Sequence, residues 1–450
     1  MRRATVQTAA RTGGVAAMIG RLAQLLHRYR QINWALADQA LVSGVNFLTA
    51  ILLARYLGLA ALGQFTLAWT VVALGVAVQH AMIVAPMMSL GPKLAQAQAA
   101  AYYGAVLVHQ LIFSAATFLA VLGGTAAMAE IFPQWGIDDL VVPLAAAVAG
   151  YQVQDFLRRY FFTCNRPIAA FANDCVRYIG QLAVLAWLFV LPPAFIGRGA
   201  IDVGATLLVV ASTGFAAAAL GAVMLGGISI RAAAWRDAAR RHWKFGKWLL
   251  GSAALQWVAG NLLIVATGAM LSSASVGALR AAQIVLGPAL VLFQGLENVV
   301  PARAAWHVTQ GGASALTTYL KKISLVFGLI TTAIAIAAAA VPEFWLKLAF
   351  GTQYEGYGYL VRWFAAMYIV WFFVSTLRAG LRAVEHTSAV FRGDLWTALF
   401  AVVFAYPLIR YFGAVGVAIG LLLGQLILIA TYLASFSSRL QAADRGVPSS

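Results

Sequence analysis

A stripe of polar residues runs through an apolar segment between residues 279 and 302. At about 100° of rotation per helical residue, its members share an arc of about 100°: Arg280, Gln283, Gly287, Gln294, Glu297 and Asn298. Ionisable residues inside a membrane span are costly and usually face a partner or a watery cavity. The stripe therefore predicts a transport cavity with substrate contacts, and interhelical hydrogen bonding is the alternative. Pro288 predicts a kink in this helix.

A second polar face lies on the apolar segment 34–56. Asp38, Gln39, Ser43, Asn46 and Thr49 fall within an arc of about 140° on one side. Asn46 is predicted to contact substrate there, whereas Asp38 is a candidate for ion coupling or gating. Arg55 falls on the opposite face, which favours an outer-leaflet anchor or a gate contact.

Two further segments carry arginines toward one end. Residues 139–162 hold Gln152, Asp155, Arg158 and Arg159, and residues 359–383 hold Ser375, Arg378 and Arg382. Guanidinium forks bind phosphate oxygens bidentately and stay charged in a low dielectric, so two facing pairs predict an anion-binding mouth. The alternative pairs Arg158 with Asp174 and Arg378 with Asp394, as structural ion pairs or a closing gate. The two arrangements can also alternate.

Aromatic residues make up 12% of the chain, and most are expected in interfacial belts. Three of them face inward in the segments 139–162 and 359–383 and are candidate sugar contacts: Tyr151, Tyr368 and Trp371.

The elements that position these residues are membrane-spanning helices. Of the 450 residues, 62% are hydrophobic and only 10% are charged, which is too apolar for a soluble domain of this length. Apolar stretches of bilayer length predict twelve spans: 34–56, 62–90, 102–128, 139–162, 173–193, 203–228, 247–270, 279–302, 322–342, 359–383, 394–410 and 414–436. The predicted fold class is an all-α polytopic membrane protein, with a turn of Tyr411, Phe412 and Gly413 between the last two spans.

The loop charges predict the orientation. An even number of spans places both termini on one side, and that side carries most of the loop cations, which indicates the cytoplasm. The predicted cytoplasmic tails are residues 1–33 and 437–450, and the first contains an amphipathic helix between Val15 and Gln31. The net charge of +17 then reflects orientation rather than a nucleic-acid partner.

The sequence lacks the motifs of several function classes. The sequence has no GxxxxGK[ST] phosphate loop, no nucleophile elbow and no metal-spaced His and Cys cluster. We expect no cofactor and no metal, and Cys164 and Cys175 are expected to be inert. The chain is predicted to be a transporter rather than an enzyme.

The two halves of the chain resemble each other. Leu157-Arg158 precedes Phe171 and Asp174 at the same offsets as Leu377-Arg378 precedes Phe391 and Asp394, a repeat of 220 residues. Earlier in each half, Asn46, Gly63 and Pro86 correspond to Asn261, Gly277 and Pro301. We therefore predict two lobes of six helices, residues 34–228 and 247–436, joined by a basic connector at 229–246. Lobes of like orientation commonly bind substrate between them and rock around it.

The first hairpin resembles that of a known family. The sequence Asn33-Trp34-Ala35-Leu36-Ala37-Asp38-Gln39, followed by Ala54-Arg55-Tyr56-Leu57-Gly58 and Gly63-Gln64-Phe65, is similar to polysaccharide-biosynthesis flippases of the Wzx type. These belong to the MOP superfamily, which also contains MATE drug exporters and the lipid II flippase MurJ. Val276-Gly277 with Arg280-Ala281-Ala282-Gln283 resembles the counterpart in the second half.

This resemblance implies a function. Such a protein moves undecaprenyl-diphosphate-linked oligosaccharide from the inner to the outer leaflet of a bacterial inner membrane, for O-antigen or exopolysaccharide synthesis. A cationic cavity would hold the diphosphate, an H⁺ or Na⁺ gradient would drive the cycle, and a glycan polymerase and a chain-length regulator would be further partners. The resemblance does not select the coupling acid among Asp38, Asp155 and Glu297.

Two alternatives remain open. A MATE-like small-molecule cation antiporter generally uses acidic and aromatic lining, and a membrane glycan polymerase or ligase tends to carry cations on a large outer loop. The longest outer loop here, Pro342 to Gly358, has only Lys347 as a cation besides its neutral and acidic residues.

Overall fold

The computed structural model describes residues 30–190, 201–384 and 386–444. These residues are helical almost throughout, and the described part of the chain contains no strand. The predicted amphipathic helix between Val15 and Gln31 lies almost wholly outside these residues, as does the C-terminal tail beyond Asp444. The protein is all-α, as its composition predicts.

Breaks between helices fall at residues that favour them. Gly58 adopts a φ of 85° between the first two helices, a left-handed conformation that costs glycine little. Asp202 and Ser272 cap the helices that follow them by accepting hydrogen bonds from backbone amides.

The α-helices are α1 (Arg30–Leu57), α2 (Leu59–Gln79), α3 (Ala85–Leu90), α4 (Gln96–Ile131), α5 (Val141–Thr163), α6 (Pro167–Asp174), α7 (Gly180–Val190), α8 (Val203–Val223), α9 (Trp235–Met270), α10 (Ser273–Val285), α11 (Gly287–Ala340), α12 (Pro342–Phe350), α13 (Gly358–Ala383) and α14 (Thr387–Asp444).

Most of the predicted crossings are present as apolar helices in the described part of the chain. Nine segments of the described residues are long and apolar enough to cross, and α10 with residues 287–312 makes a tenth. The segment Thr387–Phe436, counted once among the nine, holds Gly413 at φ 56° and ψ −137°, and this break lies where the turn between the last two spans is predicted. Residues 167–190, which overlap the predicted span 173–193, are helical but are not among these segments; a π-helical turn at Cys175–Ile179 joins α6 to α7 there.

Two connections differ from the sequence prediction. The long loop expected between residues 302 and 322 is instead helical up to Gly311 and Gly312, whose non-helical backbone alone makes the break. The predicted outer loop Pro342 to Gly358 contains α12, because Pro342 supplies a favourable first helical residue. The last helix also continues into the predicted C-terminal tail, to Asp444.

Three of the basic loops meet at one end of the bundle, which we call the basic end. Ser229 donates a backbone hydrogen bond to Ala100, and Arg166 donates from its side chain to the carbonyl of Met224. At the opposite end, the hydroxyl of Tyr354 donates to the carbonyl of Ala54 over 2.8 Å. The chain thus separates its basic loops from the loops that carry Gly58 and Tyr354.

Corresponding helices of the two halves pack on each other at corresponding glycines. A Cβ atom at Gly63 of α2 would collide with the carbonyl of Ser273, and one at Gly277 of α10 would collide with the carbonyl of Leu59. Leu59 and Ser273 each lie four residues before the glycine of their own helix. The contact is therefore reciprocal, as expected where a two-fold axis relates two like elements.

Candidate functional site

A cavity of about 130 Å³ lies between the first half and the second. We call it the central cavity. It is lined by α1, by α10 and the start of α11, and by Tyr368 of α13; its lining residues are Gln39, Val42, Ser43, Asn46, Phe47, Ala50, Arg280, Gln283, Ile284, Gly287, Leu290, Val291, Gln294 and Tyr368. The polar faces predicted on the first and eighth spans therefore face one shared space.

Hydrogen bonds join the two polar faces. Ser43 Oγ donates to Gln294 Oε1 over 2.6 Å, and Gln39 Nε2 donates to Ser43 Oγ over 3.1 Å. Interhelical hydrogen bonding, the alternative that the sequence left open, thus accounts for part of the stripe. Asn46 lines the cavity without a part in these bonds.

Arg280 is the charged residue of the central cavity. It is half-buried, and its Nη1 donates to Gln283 Oε1 over 3.3 Å. None of the ion pairs in the described residues involves Arg280, and no carboxylate is among the cavity's lining residues. A cation in a low-dielectric cavity without a counter-ion attracts an anion from solution.

A bend divides the predicted polar stripe. The helical axis turns by 64° between α10 and the start of α11, next to Pro288, which confirms the predicted kink. Arg280 and Gln283 precede the bend, and Gln294 follows it on the same cavity. Glu297 is exposed and does not line the cavity. The predicted stripe assumed a straight helix, and the bend makes that assumption wrong. The side chain of Asn298 lies outside the described part of the structure.

Arg158 is held by two buried aspartates inside the first half. Its Nη2 lies 2.5 Å from Asp38 Oδ2 and its Nε lies 2.6 Å from Asp174 Oδ2; the Arg158 side chain is 10% exposed and both carboxylates are 0% exposed. Gln154 adds a hydrogen bond of 2.7 Å to Asp174. With both carboxylates ionised, the cluster has one negative charge in excess and would repel an anion.

The second half has a similar ion pair at the corresponding positions. Arg378 Nη2 lies 3.1 Å from Asp394 Oδ1, and Arg378 Nε donates to the hydroxyl of Tyr432. Gln256 donates to Asp394, much as Gln154 does to Asp174. Both ion pairs of the alternative interpretation are thus formed, each between an arginine and the aspartate sixteen residues later.

The anion-binding mouth of two facing arginine pairs is not formed in this structure. Arg158 and Arg378 are both engaged by aspartates, and Arg159 lies 3.4 Å from Asp155. Arg382 and Arg55 are exposed, and none of these arginines lines the central cavity. Asp38, the candidate for ion coupling or gating, contacts Arg158 and is not among the residues that line the central cavity. Arg280 alone among the predicted arginines lines the cavity.

A second cavity, of about 180 Å³, lies within the second half. We call it the second-half cavity. It is lined by α9, α10, α13 and α14, through Ala259, Gly260, Leu263, Gln283, Met367, Trp371, Thr397, Phe400, Ala401, Gly420, Leu421, Gly424 and Gln425. Gln283 lines both cavities. Of the three predicted sugar contacts, Tyr368 borders the central cavity and Trp371 borders this one.

Arg177 is a buried charge that the sequence reasoning missed. It is 0% exposed, its Nη1 donates to the carbonyl of Val210 over 2.7 Å, and its guanidinium lies 4.8 Å from the ring centre of Tyr151. Tyr151, the third predicted sugar contact, is thus covered by an arginine of its own half. An arginine within an apolar span is itself the signal that could have identified Arg177.

Comparison with solved structures identifies proteins of similar fold. No protein-family model matches the chain, and a comparison with curated protein sequences gives no match. Among solved structures, an inward-facing multidrug resistance MATE family transporter of the MOP superfamily is similar at a TM-score of 0.70, with 15% identity over 91% of this chain and 96% of that one. The lipid II flippase MurJ in an inward closed conformation gives 0.68, with 11% identity over 90% and 87%. A eukaryotic MATE transporter gives 0.61, with 14% identity over 90% and 95%.

These similarities extend over nine-tenths of the chain. The sequence identities are too low to infer that the proteins share a substrate. The similarities agree with the length, the composition and the helical order described above. The chain is a multi-pass membrane protein with the fold of the MATE and MurJ transporters of the MOP superfamily.

Proposed function

We propose that this protein is a flippase for an undecaprenyl-diphosphate-linked oligosaccharide. It would carry this lipid from the inner to the outer leaflet of a bacterial inner membrane, with both termini in the cytoplasm, for the synthesis of O-antigen or exopolysaccharide. The observation that supports the proposal most is Arg280, a guanidinium without a carboxylate partner in a cavity lined by amides and hydroxyl groups.

The chemistry of the central cavity suits a diphosphate. A guanidinium offers a planar fork of donors that matches phosphate oxygens. Gln283 already accepts a hydrogen bond from Arg280, and its amide group lies beside the proposed phosphate position as a further donor. Leu48 on α1 and Val291 on α11 are exposed apolar residues of the same two helices, so an isoprenoid tail could remain in lipid while its headgroup enters.

We propose that the two halves rock about the central cavity, with lobes at 34–228 and 247–436 and the connector at 229–246. The reciprocal packing of Gly63 and Gly277 supports an axis between the halves. The carboxylates of Asp38, Asp174 and Asp394 lie in buried ion clusters, where binding of H⁺ or Na⁺ would change the balance of charge. Asp155, Glu297 and Arg55 remain candidates for coupling or gating.

The alternatives have weaker support in the structure. A cation antiporter would need acidic lining, and no described residue that lines either cavity is acidic. A polymerase or ligase would need a cation on the outer loop, and Lys347 there is engaged by Glu355 over 2.9 Å.

The test is glycan export in cells that lack the native gene and carry single variants. Arg280→Gln should reduce surface glycan at least tenfold and cause lipid-linked intermediate to accumulate, since about 1.4 kcal/mol of lost headgroup binding is worth a factor of ten. Arg280→Lys should retain part of the activity, because lysine keeps the charge and loses the fork. Arg410→Gln is the control, since Arg410 is exposed and lies outside both cavities.

Normal export by Arg280→Gln at wild-type protein levels would contradict the proposal. Increased drug sensitivity of the deletion strain, with unchanged surface glycan, would instead favour the antiporter.

A further inference from the structure

The second-half cavity differs in chemistry from the central cavity. None of its lining residues is charged. Its polar groups are the amides of Gln283 and Gln425 and the hydroxyl of Thr397, and Trp371, Met367, Leu421 and other side chains supply apolar surface. Gln425 Oε1 is buried and has no hydrogen-bond partner in the structure, and such an atom is costly unless a ligand or water satisfies it.

The internal repeat shows that the corresponding position in the first half is filled. An offset of 220 residues relates Tyr151 to Trp371 and Arg177 to Thr397. In the first half, the Arg177 guanidinium lies over the Tyr151 ring at 4.8 Å from its centre. In the second half, Thr397 replaces the long side chain, and both Thr397 and Trp371 line open space. The second half thus has an aromatic ring at the same position as the first half but lacks the arginine side chain that covers the ring there.

Small residues keep this space open. Ala259, Gly260, Ala401, Gly420 and Gly424 all line the cavity, and a Cβ atom built at Gly260 would meet no other atom within 4 Å. The cavity's volume of about 180 Å³ is below the about 300–1,000 Å³ of pockets that hold a drug-sized ligand. That space suits one sugar ring and not a whole oligosaccharide.

We propose that the second-half cavity binds the monosaccharide attached directly to the diphosphate, with the ring against Trp371 and its hydroxyl groups on Gln283, Thr397 and Gln425. The proposal rests on the flippase function, and it assigns the sugar and the diphosphate to separate cavities. Gln283 borders both cavities and accepts from Arg280, so adjacent groups of one ligand can occupy them together.

Other ligands fit this lining less well. A cation would find no carboxylate, and an alkyl chain would leave the buried amide oxygen of Gln425 without a partner. A sugar ring offers apolar C–H faces to an aromatic side chain and hydroxyl groups to amides, which is the combination present.

The test measures binding of two probes to the purified full-length protein in detergent: undecaprenyl diphosphate, and undecaprenyl diphosphate carrying one N-acetylglucosamine. Wild-type protein should bind the sugar-bearing probe more tightly. Gly260→Phe should fill the cavity and lower affinity for that probe about tenfold, with less than a twofold effect on undecaprenyl diphosphate. Gln425→Leu, a second variant that leaves the backbone unchanged, should act in the same direction.

Gly251→Phe is the matched control. Gly251 lies on the same helix, also has nothing within 4 Å of a built Cβ, and does not line the cavity, so this variant should bind both probes as the wild type does.

The outcomes separate the two proposals. Equal wild-type affinity for both probes, or unchanged sugar preference in both Gly260→Phe and Gln425→Leu, would overturn the sugar site and leave the flippase proposal in place. An equal loss of affinity for both probes in folded Gly260→Phe would also overturn it, since the substitution would then weaken binding of the diphosphate rather than of the sugar. Failure of folded wild-type protein to bind either probe would contradict the proposed function itself.

Discussion

Replacement of Arg158 by glutamine should destabilise the protein more than the loss of either of its partners. Arg158 is 10% exposed and contacts two carboxylates that are 0% exposed, at 2.5 and 2.6 Å. Arg158→Gln would leave Asp38 and Asp174 buried together without a cation. Breaking a buried ion pair in this way costs about 3–5 kcal/mol, and two unpaired carboxylates place the expected loss at the upper end of that range.

Asp38→Asn should be much milder. It removes the excess negative charge and leaves the contact between Arg158 and Asp174 in place, so we expect a loss below about 2 kcal/mol, the size of one hydrogen bond to a charged group. The matched control is Arg159→Gln on the same helix. Its pair with Asp155 spans 3.4 Å, and the side chains are 34% and 9% exposed. Because water can reach the arginine and replace part of this contact, we expect a loss of about 1 kcal/mol or less.

The measurement is the free energy of unfolding of purified variants in mixed detergent micelles. If Arg158→Gln were no less stable than Arg159→Gln, or if Asp38→Asn lost as much as Arg158→Gln, the reasoning about this cluster would be refuted.

Two further perturbations test the second half and the contact between the halves. Arg378→Gln should cost less stability than Arg158→Gln, because the Arg378 side chain is 26% exposed and has one carboxylate partner; unfolding under the same conditions checks this order. Gly63→Val should cost at least the upper end of the about 1–3 kcal/mol typical of overpacking, because the added atoms meet the backbone of Ser273, which cannot rotate away. Gly44→Val is its control, since a Cβ at Gly44 meets nothing within 4 Å, and similar yields of folded protein from both variants would contradict the reciprocal contact.

Much of the fold follows from local rules. Span length, loop charge and the spacing of glycine and proline predict helices that the structure contains, including the division of the last two spans near Gly413. The repeated spacing of Arg158 with Asp174 and of Arg378 with Asp394 also predicts two ion pairs that form. These features depend on residues close in sequence or on composition over a whole span, which a sequence displays directly.

The site was less predictable because it depends on contacts between distant helices. The ion pair of Asp38 with Arg158 joins residues 120 positions apart, and no pattern within either helix selects it. The wheel for residues 279–302 assumed a straight helix, so the 64° bend removed Glu297 from the cavity. Arg177 fills a position in the first half, whereas Thr397 leaves the corresponding position in the second half open. This difference is visible in the sequence only after the two halves are aligned.

The most direct test of the account is the rate at which purified protein in liposomes moves undecaprenyl-diphosphate-linked N-acetylglucosamine between the leaflets. The account predicts a rate clearly above that of protein-free liposomes for the wild type and for Arg410→Gln, and at least a tenfold lower rate for Arg280→Gln, the loss of about 1.4 kcal/mol of binding. Transport by Arg280→Gln at the wild-type rate, or no transport by folded wild-type protein under an imposed H⁺ or Na⁺ gradient, would contradict it.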